Sequence, residues 1–234
     1  MGGESMIRTV IFDIGGTLVD YPIPLNWSAL YRPAFESIAA KNGLVITGNE
    51  YEHIGKVLAK YNTRIKPRER EVSSDTIFTE ILSGTAIPEG YKETVKRDFY
   101  GYFRRDANIF PDAQKTLAEL YSRGMIIGTL SDVAYGMDNE FALEDIAPLL
   151  GYIKYPYTSN DTGYRKPCGE GLLMLSEKTG TPVSQMMFVG DEQKDMECAR
   201  NAGAVGVLID RTGTAGDFEW DIEIKDLYEL TALI

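Results

Sequence analysis

The stretch Thr9-Val10-Ile11-Phe12-Asp13-Ile14-Gly15-Gly16-Thr17 decides how the chain is read. A short apolar run rich in β-branched side chains, stopping at a carboxylate, predicts a buried strand with Asp13 at its end. The glycine pair then breaks the pattern. The same event recurs three times. Met125 to Leu130 precedes Ser131-Asp132, Met186 to Val189 precedes Gly190-Asp191, and Val205 to Ile209 precedes Asp210. Between them, residues 112–122, 169–179 and 192–201 carry helical periodicity, with Gly124, Gly180 and Gly203 just beyond as stops. Strands alternating with helices predict an α/β fold: a Rossmann-like parallel sheet covered by helices on both faces. Ligands of such sheets bind at the carboxyl ends of the strands, where these polar residues sit.

The segment from Tyr21 to Arg105 breaks the alternation. Ile54, Val57, Leu58 and Tyr61, then Val95, Phe99, Tyr102 and Phe103, follow helical spacing. We expect about four helices forming a small all-helical unit over 21–105, with 1–20 and 106–234 making the α/β core. Pro33 places the start of one helix, or a kink in it. Gly84 closes another, and Pro88 opens the last. Tyr21-Pro22-Ile23-Pro24 and Arg105 to Pro111 read as the two connectors of a hinge.

Bulk properties narrow the function. The net charge of -11 over 234 residues argues against a nucleic-acid surface, which needs clustered Lys and Arg. No apolar run approaches the ~20 residues that span a bilayer. The opening residues lack a basic segment followed by an apolar one, so no secretory signal is expected. Cys168 and Cys198 are too few for a disulfide framework, which fits a reducing cytoplasm. Nothing in the sequence separates a monomer from a homodimer.

Four motifs in order, Asp13-Ile14-Gly15-Gly16-Thr17, Ser131, Lys166-Pro167 and Gly190-Asp191-Glu192-Gln193-Lys194-Asp195, resemble those of the haloacid dehalogenase superfamily. The resemblance spans the chain and implies a helical cap inserted between the first two motifs. It implies a hydrolase of a small phosphorylated metabolite, with Asp13 as nucleophile and Mg2+ as cofactor. Asp13, the Gly15 carbonyl, Asp191 and Asp195 would serve the metal. Ser131, Asp132, Lys166 and Gly16 would surround the substrate, with Ser131 and Lys166 also aiding the chemistry. The physical reading agrees. A strand-end carboxylate can attack phosphorus covalently, and a hard cation offsets its repulsion from a phosphate dianion. Lys166 and Ser131 would stabilise charge on the transferring group. Plainer roles stand beside these: Asp191 and Asp195 as helix-start acids, Ser131 as a helix cap, Lys166 as a loop lysine. His53 reads as a solvated residue, and the basic run Arg64 to Arg68 as a linker or a surface that meets an anionic substrate.

One position departs from the pattern. Phosphatases of this superfamily carry a second Asp two residues after the nucleophile, which protonates the leaving group and then activates water. Here that position is Gly15. Asp132, Tyr21 and His53 are the available substitutes. Three readings follow: a phosphatase that is weak or uses a substitute acid, a phosphonatase-like C–P hydrolase with Lys41, Lys56 or Lys60 as Schiff base, or a non-catalytic phosphate-binding regulator.

Overall fold

The computed structural model describes residues 6–24, 26–214 and 216–234. Its strands are β1 (Thr9–Phe12), β2 (Val19–Asp20), β3 (Asn108–Ile109), β4 (Ile126–Ser131), β5 (Tyr155–Thr158), β6 (Met186–Gly190), β7 (Val205–Ile209) and β8 (Ile222–Ile224). Six of them form one parallel sheet in the order β5-β4-β1-β6-β7-β8. The four expected strands are its centre. The two edges, β5 and β8, escaped the sequence reading. β5 is Tyr-Pro-Tyr-Thr and β8 only Ile-Glu-Ile, and a proline is tolerated only where a strand has an unpaired side.

Alternation along β1 shows how the sheet is buried on both faces. Val10 and Phe12 pack with Leu117 and Leu120 of helix Ala113–Ser122 and with Leu227 and Leu230. Ile11 points the other way, to Leu172 and Leu175 of helix Glu170–Thr179 and Cys198 and Ala199 of helix Gln193–Ala202. These helices match the expected spans to within a residue or two.

The insert contains helices α1 (Tyr31–Asn42), α2 (Gly48–Tyr61), α3 (Ser74–Ser83) and α4 (Lys92–Arg104). Pro33 lies in the first turn of α1, where a missing N–H costs nothing. Gly43, left-handed at φ 64°, ends that helix. Thr47 and Glu50 form a capping box at the start of α2. Gly84 ends α3, whereas Pro88 heads a short 3-10 turn, Glu89–Tyr91, that runs into α4. The apolar stripes meet in one cluster around Phe35, Leu58, Phe78, Phe99 and Phe103, in which the Trp27 ring stacks on Phe103 at 3.9 Å.

Three of the places where the insert meets the core bear on the site. Its two connectors run side by side where β2 pairs antiparallel with β3. Residues after β4 contribute Val133, Tyr135, Met137 and Phe141 to the helical cluster, and the Tyr100 hydroxyl donates to the Tyr135 carbonyl at 3.0 Å. Tyr135 and Gly136 are both left-handed, at φ 51° and 64°, which turns the Tyr135 ring into the helices. A third attachment lies between α2 and α3. Arg70 bridges Tyr164 antiparallel, the Arg165 N–H donates to the Glu69 carbonyl at 2.8 Å, and the Arg165 guanidinium pairs with Glu71, both side chains buried.

Two glycines should respond in opposite directions. A Cβ on Gly136 would run into the backbone of Val72 and Ser74 on an already left-handed residue, so Gly136→Ala should lower unfolding free energy by roughly 2 kcal/mol or more. Gly101, in the last turn of α4 and open, should gain up to about 0.8–1 kcal/mol as alanine. Urea unfolding of both variants beside the parent chain checks the pair.

Candidate active site

The carboxyl ends of β4, β1 and β6 lie side by side, because β1 pairs with both neighbours. That places Asp13 between Ser131 and Asp191. The Asp13 N–H donates to the Val189 carbonyl at 2.8 Å, so Asp13 belongs to the ladder rather than to a free loop. Asp195 stands in the first turn of helix Gln193–Ala202 and accepts the Glu192 N–H at 2.9 Å. It is wholly buried. Carboxylate oxygens of Asp13, Asp191 and Asp195 lie within 4.8 Å of one another. Lys166 enters this cluster from the loop after β5, with Nζ 2.9 Å from Asp13 Oδ1 and 2.6 Å from Asp195 Oδ1. These are charge contacts without hydrogen-bond alignment, since the same atoms have no hydrogen-bond partner among the described residues.

Three carboxylates and one ammonium leave negative charge in excess. Burial, then the neighbouring Asp13 and Asp195, pushes the Asp191 carboxyl up to about 8. Burial likewise raises Asp195, against the pull of Lys166. Burial disfavours the charged form of Lys166, yet Asp13, Asp195 and Asp132 outweigh it and hold the ammonium well above its ordinary value. The buried Oδ1 of Asp191 has no hydrogen-bond partner among the described residues. Converging hard oxygen donors with an unmet charge fit a divalent cation of the magnesium or calcium type.

The two glycines after Asp13 do different work. Gly16 is left-handed at φ 72°, and a Cβ there would collide with the Asp191 carboxylate. Its missing side chain is what lets β1 and β6 bring their carboxylates together. Gly15 is not left-handed, and a Cβ there would sit 3.5 Å from the Tyr21 ring. Tyr21 therefore covers the position where the expected second acid would stand.

A cavity opens over Asp13, Gly15, Ser131, Asp132 and Lys166. Its far wall is apolar and comes largely from the insert: Ile23, Trp27 and Phe103, with Val133 and Met137 beside them. The candidate substitute acids fare poorly. The Tyr21 hydroxyl donates to Asp145 at 2.8 Å, and Asp145 is clamped by Arg104. Burial and Asp145 together raise that phenol strongly, so it keeps its proton. Asp132 accepts the Lys166 N–H at 3.0 Å, and despite burial, Arg165, Lys166 and Lys194 keep its carboxyl below the usual range. His53 lies 3.1 Å from the Glu80 carbonyl, packed against Gly84, and does not line the cavity. The structure thus gathers Asp13, Gly15, Ser131, Asp132 and Lys166 around one cavity, with Gly16, Asp191 and Asp195 beneath them.

Sequence reasoning passed over Glu192, Lys194 and the fold of Arg64 onto the site. Arg64 pairs with Glu192 at 2.6 Å, and Lys194 with the same residue at 2.8 Å. Glu192 and Lys194 lie within the fourth motif and Arg64 in the basic run 64–68, so a signal existed, but only packing brings the two segments together.

If Gly16 makes room for Asp191, Gly16→Ala should cost about 1–3 kcal/mol of stability. Gly15→Ala should stay within about 1 kcal/mol of the parent chain. Differential unfolding measured in chelator separates the two, and equal losses would remove the distinction drawn between them.

Comparison with known proteins supports the geometry. A family model described as haloacid dehalogenase-like hydrolase matches residues 7–203. Phosphoglycolate phosphatase of Escherichia coli (strain K12) is 28% identical over 216 residues, 86% of this chain and 80% of that protein. Phosphonoacetaldehyde hydrolase of Bacillus cereus (strain ATCC 10987 / NRS 248) is 29% identical over 235 residues, 96% of this chain and 84% of that protein. Among solved structures, 2-haloacid dehalogenase from Pseudomonas syringae pv. Tomato DC3000 superposes with a TM-score of 0.71. It covers 97% of this chain and 98% of its own, and at 22% identity it speaks for the fold alone. The match runs from β1 through β6 and the helix after it, taking in the Asp13 turn and the Asp191 turn: the chain belongs to the haloacid dehalogenase-like hydrolase family.

Proposed function

We propose that the protein is a magnesium-dependent phosphomonoesterase acting through an aspartyl-phosphate on Asp13. The observation that carries this is the meeting of Asp13, Asp191, Asp195 and Lys166 at the floor of one cavity. Asp13 and Asp191, with the Gly15 carbonyl and Asp195, would hold the ion. Bound magnesium supplies positive charge that lets a carboxylate approach a phosphate dianion.

This chain's own residues do the rest. An Asp13 carboxylate oxygen attacks phosphorus and the ester oxygen departs with its bonding electrons. Lys166 neutralises charge on the transferring group, and Ser131, at the end of β4, donates a hydrogen bond to it. Water then breaks the acyl phosphate. Neither step has an acid or base at position 15, and the Tyr21 proton is committed to Asp145. The reaction is therefore suited to leaving groups that depart without a proton. The apolar wall of Ile23, Trp27 and Phe103 suits an organic, aryl-like leaving portion.

Residues 21–105 act as a cap over the core of 1–20 and 106–234, supplying that wall and excluding water during the covalent stage. The phosphonate alternative lacks its lysine: Lys41 pairs with Asp98, Lys56 with Glu52 and Lys60 with Glu80, and none lines the cavity. No helix among the described residues is long and apolar enough to cross a membrane. The two free thiols agree with a cytoplasmic setting.

Magnesium at about 100 times its dissociation constant should stabilise the parent chain by about 2.7 kcal/mol. Asp191→Asn should fold but lose that increment, read as a thermal shift with and without the ion. No shift in the parent chain removes the metal from the proposal.

Aryl phosphates should turn over detectably and simple sugar phosphates poorly, with Asp13→Asn abolishing both. Gly15→Asp should raise alkyl phosphate turnover about 10- to 1,000-fold, short of the full general-acid range because the new side chain is not preorganised. The backbone at Gly15 accepts a side chain, so a folded variant is expected. Equal rates on alkyl and aryl esters in the parent chain would sink the missing-acid account.

A further inference from the structure

A second cavity adjoins the first and shares Arg64, Asp132, Lys166 and Lys194 with it. Its other walls include Arg68 and Arg165 from opposite sides of the insert–core junction. Cations crowd this place in a chain of net charge -11. Most of them are already engaged. Arg165 is held by Glu71 and the Val133 carbonyl, and Arg68 by Glu71 and the Tyr61 and Arg70 carbonyls. Lys166 belongs to the carboxylate cluster.

Arg64 and Lys194 are different. Arg64 reaches Glu192 Oε1 through Nη1 at 2.6 Å, its one ion pair among the described residues. Lys194 reaches the other oxygen, Oε2, at 2.8 Å, and Asp132 only at 3.5 Å. Two cations thus bracket a single carboxylate where the cavities join. Both side chains stay partly open, at 37% and 27% exposure. The guanidinium keeps donors in hand, and Asp132, the other carboxylate near Lys194, is shared with Arg165. A planar fork with spare donors beside an ammonium suits a carboxylate, which accepts two parallel N–H bonds.

We propose that Arg64 and Lys194 form a carboxylate subsite, so that the substrate is a phosphate ester carrying a carboxylate on its leaving portion. This rests on the phosphoryl site proposed above. The phosphoryl group lies over Asp13 and Lys166, and the carboxylate reaches to the cavity junction. Glu192 holds both cations in place before the substrate arrives.

The test is equilibrium binding by calorimetry, using the full chain with magnesium. The probes are the three carboxyphenylphosphonate isomers and their neutral carbamoyl counterparts. At least one isomer should bind about tenfold or more tighter than its carbamoyl partner, as a charge-assisted pair allows. Arg64→Gln and Lys194→Gln should shrink that preference to about twofold, and raised salt should weaken it in the unaltered chain, independently of how the variants fold. No preference at any ring position overturns the subsite, as does a preference that both variants retain in full. If none of the six compounds binds, the phosphoryl-site reading fails and takes the subsite with it.

Discussion

The structure depends on holding like charges together at the ends of two adjacent strands. Asp13 and Asp191 stand on neighbouring parallel strands, β1 and β6, and Asp195 is wholly buried behind them. Left alone they repel, as the raised Asp191 carboxyl records. Lys166 offsets some of this from within. The absent side chain of Gly16 relieves the crowding, and the sheet ladder through the Asp13 N–H keeps Asp13 from drifting away. Stability and readiness for a cation are two faces of one arrangement, in which the fold tolerates a charge deficit that a ligand can meet.

Much of this is legible in the sequence, for physical reasons that differ by element. The central strands announce themselves because burial on both faces demands continuous apolar runs. Their ends are equally plain, since each run stops at a polar residue that the parallel topology must bring to one side. The cap helices show through Phe99 and Phe103 or Ile54 and Leu58 recurring at helical spacing. The edge strands are invisible: β5 carries Pro156 and β8 has three residues, so neither has the length or pattern that separates a strand from a loop.

The site divides in the same way. Asp13, Ser131, Lys166, Asp191 and Asp195 sit in local motifs, so adjacency along the chain points to them. Arg64 meets Glu192 across 128 positions of sequence, in a loop whose composition resembles any solvated linker. Tyr21 stands out as a possible acid, yet the partner that disqualifies it, Asp145, lies in a 3-10 segment far along the chain. Spacing finds residues that share an element. It does not find those that share only a surface.

The third attachment of the insert changes its mechanics. A body hung on two adjacent connectors, here beside the β2–β3 pair, can swing about the line joining them. The Arg70–Tyr164 bridge and the Glu71–Arg165 pair tie the insert to another part of the core, the segment after β5. A tether at a second place resists such a swing. A swing that parted residues 69–71 from residues 164–165 would have to unzip a backbone bridge and separate a buried ion pair. The Glu69–Glu71 strap is in that sense a latch, separate from the pivot.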